Sequence, residues 1–97
     1  MSYAFHPEAE AELNQAIEWY ETHEPGLGLD FATEVHAAIQ RALAFPLAWQ
    51  VMEGDIRRVL VHRFPFGVLY AQEHDRMFVV AVMNLHRQPG YWQARMT

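Results

Sequence analysis

Residues 56–83 read IRRVLVHRFPFGVLYAQEHDRMFVVAVM, and this stretch decides the fold class. Its first segment, "IRRVLVHRF" (56–64), is rich in β-branched residues. It alternates Arg57, Val59, Val61 and Arg63 against Arg58, Leu60 and His62, and a period of two predicts a strand with two unlike faces. "PFG" (65–67) turns the chain, "VLYAQE" (68–73) predicts the next strand, and "HDR" (74–76) makes a tight turn. "MFVVAVM" (77–83) is apolar at every position, as expected for a strand covered on both faces.

Upstream the period changes. "SYAFH" (2–6) alternates and predicts a short strand, and Pro7 then suits the first helical position. Glu8 and Glu10 complement the positive end of that helix. Ala9, Leu13, Ala16, Ile17 and Tyr20 recur on one helical face as far as about Thr22. "HEPGLG" (23–28) breaks the helix. Phe31, Val35, Ala38, Ile39 and Ala42 then repeat the same offsets until Pro46, and "PLAWQVMEGD" (46–55) is read as a loop. Matched stripes joined by a short link predict an antiparallel helical hairpin. The order β-α-α-β-β-β with a C-terminal tail predicts an α+β fold, with the hairpin on one face of a small, mostly antiparallel sheet. At 97 residues the chain is one domain, 1–97.

Composition narrows the function. Hydrophobic residues make up 52% of the chain, enough for a packed core. The longest apolar runs are far short of a membrane span, and "MSYAFHPEAEAE" does not read as a secretory signal. There is no cysteine, hence no disulfide or thiolate chemistry, and a cytoplasmic location is expected. The formal charge is −5, and the chain contains no lysine. Residues 1–50 set Arg41 against eight carboxylates, a formal −7, whereas residues 51–97 set six arginines against four, a formal +2. Unaided nucleic-acid binding calls for a strong basic excess, which is missing here.

Few residues offer conventional chemistry. The six histidines include no HxxxH pair, and His62, His74 and His86 are not expected to converge, so no metal site is expected. Ser2 is the only serine, and "PGLGLD" lacks the Lys-Ser/Thr of a phosphate loop. The acidic run Glu8–Glu24 reads as a solvated helix face. What remains is a set of arginines and rings. Arg57 and Arg58 should leave their strand on opposite faces. With Arg63, Arg87, Tyr91, Trp92 and Arg95 they offer guanidinium forks and aromatic surface of the kind that dominates interfaces. Trp92 and Tyr91 have a competing use, which is to fold back and cap the core.

The pattern resembles the RelE/ParE toxins of type II toxin-antitoxin modules over nearly the whole chain. "FHPEAEAELNQAIEWYE" is similar to the family's first strand and helix, and "PGLGLDFATEVHAAI" to its helical turn and second helix. "IRRVLVHRFPFGVLY" is similar to the second and third strands, and "VVAVMNLHRQPGYWQAR" to the last strand and tail. The resemblance implies a bacterial toxin, associated with plasmid stabilisation and growth arrest, that a cognate antitoxin neutralises in a hetero-oligomer. RelE-like members cut messenger RNA on the ribosome, while ParE-like members bind DNA gyrase. The first task needs clustered cations and an acid/base group, and the second only a binding surface.

Matched to the nuclease branch, Arg58 is nearest to its second-strand lysines and Leu60 takes the other place. Gly67 stands where an arginine often does, and Asn84 where many "RxPxYW" relatives have histidine. Tyr91 and Arg87 match its late tyrosine and arginine, and His86 faces the same way as Asn84. The thinned cations and the acidic total lean toward the ParE-like, gyrase-binding class, with no cofactor, no metal and no catalytic residue. Arg57, Arg58, Arg63, Arg87, Tyr91, Trp92 and Arg95 are then the target- and antitoxin-binding residues, expected on one exposed side. The alternative is a ribosome-dependent endoribonuclease using Arg58, His86, Arg87 and Tyr91. A third reading is a non-toxic member that only binds its antitoxin.

Overall fold

A computed structural model describes residues 2–96. The chain runs β1 (Ser2–Phe5), α1 (Pro7–His23), α2 (Leu27–Ala44), β2 (Gln50–Glu53), β3 (Ile56–Leu60), β4 (Phe66–Gln72), β5 (Arg76–Asn84) and a final 3-10 turn, Gln93–Met96. The five strands form one sheet in the order β1-β5-β4-β3-β2. Only the β1–β5 pair is parallel, because the helical hairpin carries the chain back between them. This is the α+β architecture that the periodicities predict. Among the described residues no helix is long and apolar enough to cross a membrane.

α1 starts where the sequence marks it. Pro7 occupies its first turn, and His6 Nδ1 accepts from the Glu8 backbone N–H at 3.1 Å. The break between the helices uses Gly26 at φ 90°. Glu21 on α1 accepts from Gly26 N–H and Gly28 N–H at 3.1 and 3.0 Å, so a carboxylate sits at the positive end of α2. A Cβ on Gly28 would lie 2.6 Å from the Ile17 carbonyl oxygen, so the hairpin closes tightly only with glycine there.

The sheet separates two apolar clusters. Against the helices, Phe31, Val35, Ile39, Val59, Phe66, Val68, Tyr70, Met77, Val79 and Val82 are buried, with Tyr20 packed alongside. Phe31 meets Phe64 and Phe66 at ring-centre distances of 5.2 and 4.8 Å in edge-on geometry. On the opposite face lie Ile56, Leu69, Ala71, Val80, Ala81 and Met83, capped by Trp92 from the tail. Trp92 is only 4% exposed, so the tail folds back as a cover rather than trailing in solvent.

Two departures from the periodic reading have physical causes. β2, within the segment read as a loop, is an edge strand with Gln50, Val51 and Glu53 exposed. With neither face buried there is no alternation to read. β3 ends at Leu60 rather than Phe64: Val61 keeps the helix-side face of Val59, and the loop in which Arg63 takes φ 71° brings Phe64 onto that side as well. The third feature is a bulge in β5. Leu69 pairs with Ala81 and Tyr70 with Val79, so Val80 is an extra residue and shares its face with Ala81.

Candidate functional site

β1 stops pairing at Phe5, opposite Val79, and the outer edge of β5 beyond that point has no strand beside it. Buried backbone groups there need partners from elsewhere. α1 and the tail supply them. The Val82 N–H donates to Glu12 Oε1 at 3.0 Å, and the Val80 carbonyl accepts from Arg95 Nη1 at 3.1 Å. Arg95 then meets Glu12 at two points, 2.8 Å from Nη1 to Oε1 and 2.9 Å from Nη2 to Oε2. The Tyr91 hydroxyl donates to Glu12 Oε2 at 2.5 Å. One carboxylate, its side chain 14% exposed, thus joins α1, the β5 edge and two tail residues.

The Tyr91 ring carries cations on its face. The Arg87 guanidinium lies 3.9 Å from the ring centre and that of Arg95 lies 5.0 Å away. Burial, followed by the bond to Glu12, raises the Tyr91 hydroxyl well above its ordinary pKa of 10.0, although both arginines oppose the shift. Hydrogen bonding to Glu12 raises Arg95 above its ordinary value, against the opposing effect of burial. Among the described residues, no carboxylate and no hydrogen-bond acceptor holds the Arg87 guanidinium. It is exposed and stacks on the ring beneath it.

Arg87 borders two grooves. One, of about 210 Å³, lies against α1 and is lined by Glu12, Gln15, Ala16, Val82, Asn84 and Tyr91. The other, of about 290 Å³, lies over the tail face of the sheet and brings Arg58 and Arg87 around Met83, Leu85, Pro89 and Trp92. Arg58 donates to Gln50 Oε1 at 3.0 Å, while its Nε is buried without a partner among the described residues. Its stem crosses Gly67, where a Cβ would come within 2.9 Å of Arg58 Cγ and Cδ. Gly67 therefore keeps a channel for Arg58, which accounts physically for the absence of a larger residue.

The seven residues expected on one exposed side are divided. Arg58, Arg87 and Trp92 border one groove, while Tyr91 lines the other beside Arg87 and Glu12, and Arg95 is bonded to that Glu12. Arg57 leaves β3 toward the helix side, as strand alternation requires, and donates to the Leu47 and Trp49 carbonyls at 3.1 and 2.8 Å. Arg63, set in the left-handed loop, reaches Asp30 on α2 at 3.5 Å. Trp92 is buried and the Arg95 side chain is 8% exposed, so both brace the tail instead of presenting a contact. His86 is exposed, and its backbone N–H donates to Asn84 Oδ1 at 2.9 Å.

The residue that the sequence reading passed over is Glu12. By composition it belongs to a solvated acidic face, but it lies three residues after Ala9 and four before Ala16, on the border of the buried stripe. Glu21, four residues after Ile17, has the same placement and caps α2. A glutamate at such an offset has to find a partner, and that was the available signal.

The fold and site define an α+β domain whose tail is clasped to its first helix. No family model matches the sequence, and no curated protein matches it. Among solved structures, it is similar to a chain of "Chromosomal ParDE TA system from P. aeruginosa", with a TM-score of 0.76 over 89% of this chain and 97% of that one, at 16% identity. At that identity the likeness is one of fold, and the fold is the one that the sequence resemblance implied.

Proposed function

We propose that this protein is the toxin of a type II toxin-antitoxin module, acting as a ParE-like binder of DNA gyrase in the bacterial cytoplasm. The reading rests on fold likeness to a chain of a ParDE system together with the sequence motifs. The observation that favours a binding surface over a catalyst is the state of Tyr91. Its hydroxyl is committed to Glu12 and held protonated, so it is poorly placed to accept a proton, while the exposed Arg87 guanidinium stacked on its ring has no ion-pair partner among the described residues. Arg58 and Arg87 supply cationic contacts, and the exposed Leu85 supplies apolar surface. A cognate antitoxin would cover this region in a hetero-oligomer, laying a helix or strand into the α1 groove or along an open sheet edge. No metal or cofactor enters this mechanism.

The test is a supercoiling and DNA-cleavage assay with purified gyrase and the purified chain. Accumulation of cleaved DNA supports the reading, and unchanged gyrase activity at saturating protein overturns it. One observation favours the nuclease alternative, since Arg58 and Arg87 border the same groove and could flank a phosphate. Discrete cuts in messages after induction would select that alternative. Absence of growth arrest with retained antitoxin binding would select the non-toxic one.

A further inference from the structure

We infer that Glu12 is the positioning residue of this surface, presenting the Arg87 guanidinium through Tyr91 without itself meeting the target. The inference rests on the proposed function for its biological readout only. The geometry forms a relay. Glu12 accepts from the Tyr91 hydroxyl at 2.5 Å, which fixes the ring by its far end, and the ring carries Arg87 at 3.9 Å. Glu12 also takes both terminal nitrogens of Arg95, so the second cation near the ring is neutralised by an ion pair. Of the two cations on the ring, the one left for a partner is Arg87. Val82 N–H, bonded to the same carboxylate, sets the height of the assembly on β5.

This arrangement answers a problem inherent in the tail. Residues 85–90 are turns and irregular chain, with Leu85 to Pro89 exposed and Gly90 at φ 82°. A guanidinium on such a segment has many rotamers to lose on binding. Stacking on a ring pinned at its hydroxyl removes part of that cost before a partner arrives. Trp92 anchors the tail to the sheet, and the Tyr91 ring packs in part against the same apolar cluster, which leaves its hydroxyl end to be fixed by a polar partner. Among the described residues, Glu12 is the hydrogen-bond partner that holds the hydroxyl end of the ring.

The experiment compares the wild type with Glu12→Gln, Glu12→Asp and Tyr91→Phe. Each is examined by the side-chain Nε–H resonance of Arg87 in NMR spectra and by the inducer level needed for growth arrest in bacteria. In the wild type, the Arg87 resonance should be displaced by the Tyr91 ring current. Glu12→Gln should return it toward the free-arginine position, with the β3 and β4 amides unmoved, and should raise the required inducer at least ten-fold. Glu12→Asp should restore part of both effects. Tyr91→Phe keeps the ring and loses only the bond to Glu12, so it tests the relay even if Glu12→Gln fails to fold. An unchanged Arg87 resonance in Glu12→Gln and Tyr91→Phe overturns the inference. So does a displaced resonance with undiminished arrest. A wild type that arrests nothing removes the toxin reading, and the NMR comparison still decides the relay.

Discussion

Glu12 and Arg95 stand 83 positions apart and meet at 2.8 and 2.9 Å, with side chains 14% and 8% exposed. A pair this sheltered is costly to break from one side, because the survivor keeps its desolvation penalty. The two sides are unequal. Losing Arg95 leaves Glu12 with Val82 N–H and the Tyr91 hydroxyl, whereas losing Glu12 takes the acceptor from both of those donors and leaves Arg95 with the Val80 carbonyl and the more distant, exposed Glu8. Glu12→Ala should therefore lower stability by about 3 kcal/mol, and Arg95→Ala by clearly less, measured by urea unfolding. Equal losses would show that the carboxylate has no role beyond the ion pair.

Tyr91 ties stability to alkaline pH. Its folded-state pKa is raised above the ordinary 10.0, so the folded form retains a proton that the unfolded form gives up. The stabilisation is complete below pH 10 and is lost as pH rises beyond it, at about 1.4 kcal/mol per pH unit for each such group. Tyr20 and Tyr70 are also raised by burial, so the wild type alone does not isolate Tyr91. Unfolding free energies at pH 9 and pH 11 should fall less in Tyr91→Phe than in the wild type.

Arg87 and Trp92 should separate function from folding. Arg87 is exposed and stacks on the Tyr91 ring, so Arg87→Ala should shift stability by no more than about 0.5 kcal/mol. It should nevertheless abolish growth arrest. Trp92 caps the second apolar cluster, and Trp92→Ala should cost about 3 kcal/mol or more. Melting curves with an arrest assay check both, and an Arg87→Ala variant as toxic as the wild type would remove Arg87 from the working surface.

Gly67 and Gly28 make a paired steric prediction. A methyl on Gly67 meets the Arg58 stem at 2.9 Å, a side chain that can move, and a methyl on Gly28 meets the Ile17 backbone oxygen at 2.6 Å, which cannot. Gly67→Ala should cost about 1 kcal/mol and displace Arg58, while Gly28→Ala should cost nearer about 3 kcal/mol. Thermal unfolding of the two variants gives the ranking, and the reverse order would contradict the packing described.

The architecture was legible wherever one face of an element is buried. Phe31, Val35, Ala38, Ile39 and Ala42 read as a helical stripe because the sheet lies against them, and all five are buried. Arg57 and Arg58 read correctly as opposite-facing because a strand has no other option. β2 was illegible because its exposed residues carry no pattern. The site was harder to read. Arginine and aromatic content pointed to the tail, but Arg63 was drawn away by a left-handed loop that no composition signals. Glu12 looked like one acidic residue among several, since its partners lie 70 to 83 positions further on. Sequence exposes short-range order well, and a contact of that span only through the cost of leaving it unmade.

The parallel pairing of β1 with β5 bears on the order of assembly. The hairpins β2–β3, β3–β4 and β4–β5 and the helical pair close over short spans, whereas β1 must find a strand more than seventy positions away. Long closures form late, because their entropic cost precedes any reward. Docking of β1 carries α1 to the β5 edge, so the Arg87 platform is completed only with the last cooperative step. A molecule halted before that step would hold most of its secondary structure and lack the carboxylate that clasps the Tyr91 ring beneath Arg87.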